Sequence, residues 1–117
     1  MTTEKGGAMP AQPAMSEERV KRIVITLDEN GKPEIGAGQG TVTLDRTKDE
    51  EVMWVCDVPF RIDFNNGTPF YEDQFDQTHR QSGLARRDLL PSRLRTYEYT
   101  INVNGKTLDP QIMIFTG

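Results

Sequence analysis

Apolar residues recur at every second position in one stretch of this chain after another, and that period commits it to β-structure. In "TYEYTINVNGKTLDPQIMIF", Thr96 to Phe115, the residues Tyr97, Tyr99, Ile101 and Val103 alternate with Glu98, Thr100 and Asn102 before Asn104-Gly105 turns the chain. Asn-Gly between alternating segments is a hairpin signal with a mechanism, because both turn positions must take positive φ. Asp109-Pro110 then reads as a turn that starts a last strand over Gln111 to Phe115.

The same period runs earlier. Ile23, Ile25 and Leu27 alternate with Arg22, Val24 and Thr26, and "LDENGKPEI" supplies an Asn30-Gly31 turn into a short return strand whose Lys32 and Pro33 suit a sheet edge. "TVTL" puts Val42 and Leu44 on one face. In "EEVMWVC", Val52, Trp54 and Cys56 share one side and Met53 and Val55 the other, the pattern of a central strand. "PFRIDF" places Phe60, Ile62 and Phe64 inward until Asn66-Gly67 and Pro69 end it. Residues 71 to 95 lack such a period, since Gly83 and Pro91 oppose the helix that Leu84, Leu89, Leu90 and Leu94 would otherwise suggest. They read as a long crossing between sheets, with a short strand near Ser82 to Arg87 and one helical turn at Arg87 to Leu90. The expected fold is therefore all-β: an antiparallel Greek-key β-sandwich of about seven strands, with a partly open barrel as its rival.

A chain of 117 residues fits one domain that needs no staple. Residues 1 to 18 combine Gly, Ala, Pro, Gln and Thr without period and read as a disordered tail before a single domain at 19 to 117. The single Cys56 and the lack of a continuous apolar leader point to the cytoplasm, although a mature secreted form recloned behind a new Met would look the same. "GAGQG" reads as a flexible connection, because no Lys-Ser/Thr and no helical pattern follow it.

The order of segments resembles the cupredoxin-like sandwich family, the fold of small blue copper proteins, with an immunoglobulin-like domain as the alternative topology. "VMWVCDVPFRIDF" resembles the family's first aromatic strand pair, and "TYEYTI" its late "Y-x-Y-x-C" segment. The resemblance implies copper ligands, but the position of the family's first His is Phe60 and that of its Cys is Ile101. The loop after it, Asn102 to Asp109, holds neither His nor Met. A type 1 site needs two imidazoles, a thiolate and usually a thioether, whereas the chain holds one His and one Cys. No cofactor or metal is expected, and no enzyme activity. The competing reading is a small redox protein or enzyme using Cys56. That residue is expected to be a buried thiol beside Trp54, and His79 in "QTHRQ" a solvated loop imidazole. The acids of "DEE" at 49 to 51 and "YEDQFD" at 71 to 76 read as solvated turns, and "DENGKPE" as a hairpin rather than a calcium loop.

Charge is unevenly spread. Residues 28 to 76 carry twelve acids and four bases, while residues 77 to 95 carry Arg80, Arg86, Arg87, Arg93 and Arg95 against Asp88 alone. Three readings stand: the arginines pair with the chain's own acids, they capture a protein or anionic ligand through their planar forks, or they bind nucleic acid. The last is disfavoured by a net charge of −4. The five arginines form the candidate partner-binding segment of a non-catalytic binding or structural module.

Overall fold

The computed structural model describes residues 19–36, 41–89 and 94–117; the expected tail, most of "GAGQG", Leu90, Pro91 and Arg93 lie outside them. The described residues form ten strands: β1 (Val20–Leu27), β2 (Pro33–Ile35), β3 (Thr41–Asp45), β4 (Glu51–Val55), β5 (Arg61–Asp63), β6 (Gln74–Asp76), β7 (Leu94–Glu98), β8 (Thr100–Val103), β9 (Lys106–Leu108) and β10 (Gln111–Phe115), with one 3-10 turn at Arg46–Lys48. The protein is all-β, as the period-two alternation requires. No helix among the described residues is long and apolar enough to cross a membrane.

Three small sheets result, ordered β2-β1-β4, β3-β10-β7 and β9-β8-β5-β6. Ten strands replace the expected seven, partly because the last hairpin is cut in two: β7 and β8 are successive halves of one arm, β9 and β10 of the other. Its register runs unbroken from Val103 opposite Lys106 and Ile101 opposite Leu108 to Glu98 opposite Gln111 and Leu94 opposite Phe115. One hairpin thus belongs to two sheets, changing neighbours at Tyr99, whose N–H still donates to Pro110 O at 3.1 Å. Its tip is the expected Asn-Gly turn, with Asn104 at φ 53° and Gly105 at φ 85°, the primed geometry whose twist matches that of the strands.

The sheets are not purely antiparallel, which corrects the sequence reading. β1 pairs with β4 in parallel, Ile23 opposite Trp54, and β3 pairs with β10 in parallel, Thr43 opposite Met113. The reason is connectivity: after the β1–β2 hairpin the chain enters another sheet as β3, and it returns to β1's side only as β4, now running the same way. β4 has a neighbour on each side, because Trp54 N–H donates to Arg80 O and Ser82 N–H to Val52 O, each at 2.9 Å. Its outward Met53 and Val55 are nonetheless only half-buried.

The segment 71 to 89 departs most from expectation. Gln74–Asp76 is a strand rather than a solvated turn, paired with β5 so that Phe75 faces Ile62; one buried aromatic between two exposed polar residues left too short a period to read. The strand expected near Ser82 to Arg87 is a single bridge, Gln81 to Met53, and at Arg87 the chain makes a turn rather than a helical one. Gly83 at φ 73° diverts the backbone out of the extended line.

The core is aromatic at its centre. Trp54, Phe64, Phe70, Phe75 and Tyr99 are buried. Trp54 of β4 meets Phe75 of β6 at 5.0 Å and Tyr99 of the hairpin at 5.6 Å between ring centroids, and Phe64 stacks on Tyr99 at 5.0 Å. Trp54 Nε1 donates to the Tyr99 hydroxyl at 3.2 Å, which gives both buried polar tips a partner. Burial pushes the Tyr99 pKa above its ordinary value near 10, with the Trp54 bond acting the other way.

Candidate functional site

The arginine segment is fixed chiefly through its backbone. Arg86 N–H donates to Pro69 O at 2.7 Å, and Arg87 N–H to the Tyr71 hydroxyl at 3.0 Å. Its carbonyls are gripped by Arg46, a residue that carries no local sequence signal for the part. One Arg46 nitrogen donates to Leu89 O at 2.8 Å and Arg86 O at 3.1 Å, the other to Thr116 O at 3.2 Å. A planar fork with several donors is suited to joining two carbonyl-rich segments at once.

Of the sequence-predicted arginines, Arg87 bonds Asp49 at 2.8 Å. Arg86 Nε lies 3.2 Å from Asp88 Oδ1, near enough for an ion pair but not aligned as a hydrogen bond. Arg80 stands exposed beside β4, and Arg95 lies on β7 with its own interaction in the chain. Arg93 is outside the described residues. The Arg87–Asp49 bond joins the basic segment to the acidic one, as the internal-pairing reading expects. With side chains 58% and 45% exposed, such a pair contributes little.

Phe60 and Ile101, the positions that the resemblance aligns with metal ligands, are 5% and 0% exposed. Ile101 sits opposite Ile62 in the β5–β8 ladder, and Phe60 belongs to the same apolar cluster. This donor set does not fit copper: the region offers hydrocarbon, and the chain beyond Val103 turns back after two residues. Among the described residues no three His, Cys, Asp or Glu side chains are grouped so as to hold a metal ion.

Cys56 and His79 have different surroundings. Cys56 is buried at the end of β4 and lines a cleft of about 300 Å³ with Ile25, Thr26, Leu27, Asp57 and Val58. Leu27, expected inward, is 37% exposed on the rim of that cleft, because β1 ends there. His79 pairs through Nε2 with Glu72 and stacks on Phe75 at 5.5 Å. Its N–H also donates to the Asp76 carboxylate, which accepts from the Thr78 side chain and backbone too; these bonds, led by the Thr78 hydroxyl, hold Asp76 below the usual carboxylate range. So His79 is a half-exposed turn residue whose ring pairs with the Glu72 carboxylate while its backbone N–H is held by that of Asp76.

Two buried polar atoms among the described residues lack a hydrogen-bond partner, Arg86 Nε and Asp63 Oδ1. Asp63, on the outer side of β5, is 8% exposed; Oδ2 accepts from Arg61 Nε at 3.1 Å, while Oδ1 has no hydrogen-bond partner. No protein-family model matches the chain, and comparison with curated proteins and with solved structures finds no match either.

Proposed function

We propose that this chain is a copper-free β-sandwich of the cupredoxin-like kind, acting as a binding or structural module and not as a catalyst. What carries this reading is the filling of the two aligned ligand positions: Phe60 and Ile101 lie in the apolar core, where a cation would lose its hydration without gaining donors. The layered arrangement is supported by the hairpin shared between two sheets and by Trp54, which reaches from the β2-β1-β4 sheet onto Phe75 of another. The parallel pairings add to it, since a chain that leaves a sheet and returns parallel must pass over a second layer. The arginine segment is the proposed contact for a protein or anionic ligand, in a cytoplasmic setting. Titration with copper or cobalt under visible spectroscopy tests the first claim; no intense charge-transfer band is expected, and a blue one would overturn it.

The second reading, a thiol-dependent redox protein or enzyme, rests on the cleft that Cys56 lines. Thiol labelling separates the two. Labelling that waits for denaturant supports the module, whereas fast labelling of the folded chain near neutral pH marks an activated thiolate.

A further inference from the structure

The sequence holds three Asn-Gly pairs, Asn30-Gly31, Asn66-Gly67 and Asn104-Gly105. In such a pair the backbone nitrogen of the glycine can attack the side-chain amide before it, because no Cβ crowds the ring that forms. A fold slows this reaction when it holds that nitrogen. The N–H must then give up its acceptor before it can lose its proton and turn toward the side-chain carbon.

Two of the three nitrogens are held. Gly31 N–H donates to Asp28 O at 3.0 Å, and Gly105 N–H to Asn102 Oδ1 at 2.9 Å. Both lie in tight turns whose flanking strands pair as far as Leu27 opposite Pro33 and Val103 opposite Lys106. Asn30 is tied further, since its N–H donates to Asp28 Oδ1 at 2.8 Å and its carbonyl accepts from the Lys106 ammonium. Asn66-Gly67 is different. It lies in the connection from β5 to β6, outside any ladder, and among the described residues nothing accepts from Gly67 N–H. Both residues are exposed, and at φ 119° no atom stands within 4 Å of where a Cβ of Gly67 would be.

We propose that Asn66 is a site of spontaneous covalent modification, converting through a cyclic imide while Asn30 and Asn104 are protected by their turns. Solvent base takes the Gly67 amide proton, and the nitrogen bonds to Asn66 Cγ; the Cγ–Nδ2 bond breaks, and ammonia leaves after taking up a proton. Water then opens the ring. Breaking the new N–Cγ bond gives aspartate, breaking the original peptide bond gives isoaspartate, and nothing is oxidised or reduced. Each product carries one more negative charge. That charge arises two positions before Thr68, which lines a cleft of about 480 Å³ with Tyr71, Glu72, Asp73 and Gln74, so an acidic edge becomes more acidic. The extra backbone carbon of isoaspartate falls outside the strands, so the pairing of Asp63 with Gln74 survives it. The inference rests on the turns alone and stands apart from the copper-free reading.

Incubating the folded full chain in mildly alkaline heavy-oxygen water, followed by peptide mapping with mass spectrometry, tests it. Label at position 66 should build up about two- to tenfold faster than at 30 or 104, the weight of the one hydrogen bond that each of those must break. Isoaspartate should accompany aspartate there, and in urea the three rates should converge. Asn102→Ala frees Gly105 N–H and should speed conversion of Asn104 by about two- to tenfold. Equal rates at the three pairs in the folded chain, or earlier label at 30 or 104, would overturn the proposal. So would aspartate without isoaspartate, a rate difference that persists in urea, or no acceleration by Asn102→Ala.

Discussion

Arg46→Met should be the most damaging substitution outside the core. The variant keeps an apolar stem of similar reach and deletes the three bonds to Arg86 O, Leu89 O and Thr116 O. A hydrogen bond from a charged group contributes about 1.5–3 kcal/mol when buried. Arg46 is only half-buried, and water can replace part of each bond, so a loss of roughly 2–4 kcal/mol in total is expected. At about 4–8 °C per kcal/mol for a domain of this size, the thermal midpoint should fall by roughly 8–30 °C. Urea unfolding is the better assay, since an unchanged slope confirms that stability rather than compactness has moved. Arg87→Met is the control: it deletes one exposed bond to Asp49 and should cost below about 1 kcal/mol. Equal effects of the two substitutions, or a loss below about 1 kcal/mol for Arg46→Met, would refute the idea that one guanidinium holds the segment down.

Trp54→Phe should cost about 1–3 kcal/mol by leaving the buried Tyr99 hydroxyl without a partner, and Trp54→Phe with Tyr99→Phe should cost less than the two singles summed, read by urea unfolding in a double-mutant cycle. The raised Tyr99 pKa makes stability fall as the solution is made alkaline: the unfolded tyrosine releases its proton near pH 10 and the folded one does not, so about 1.4 kcal/mol per pH unit is lost above that point. Tyrosinate absorbance of the buried ring should therefore appear only with unfolding, and Tyr99→Phe should lose one proton's share of the slope. Gly105→Ala meets no atom within 4 Å, so its cost of about 1 kcal/mol in thermal or urea unfolding comes from φ 85° alone; a neutral result would mean that the turn relaxes.

Period-two alternation made most of the strands legible, because a strand covered on one face must alternate. Phe60, Ile62 and Phe64 inward, the Asn104-Gly105 hairpin, and Pro33 at an edge all followed from that rule and from turn chemistry. What alternation cannot carry is direction and partner. The parallel pairing of β1 with β4 has no residue signature, and neither has the transfer of one hairpin between two sheets at Tyr99, where inward alternation continues through the change of neighbours. β6 was lost for want of length. The candidate site was legible only as a charge excess. Arg46 lies 40 or more positions from each carbonyl that it holds, and the partner of His79 is a glutamate in a stretch that reads as solvated turn.

Whether the arginines serve a partner or only the fold can be decided because the backbone bears the structural role. Arg80 O accepts from Trp54, Arg86 N–H from its place on the chain donates to Pro69, Arg87 N–H donates to Tyr71, and Arg86 O and Leu89 O accept from Arg46. None of these bonds uses the guanidinium of Arg86 or Arg87. Reversing both to Glu forfeits the exposed Arg87–Asp49 pair and the Arg86–Asp88 contact, whose Arg86 Nε is buried but makes no hydrogen bond, and adds a mild repulsion, together on the order of 1 kcal/mol. The thermal midpoint should then move by no more than about 8 °C, while capture of an anionic partner should weaken through loss of two forks and gain of two like charges. A collapse of the midpoint comparable to that of Arg46→Met would show that these side chains hold the segment after all, and the case for a docking surface would fall with it.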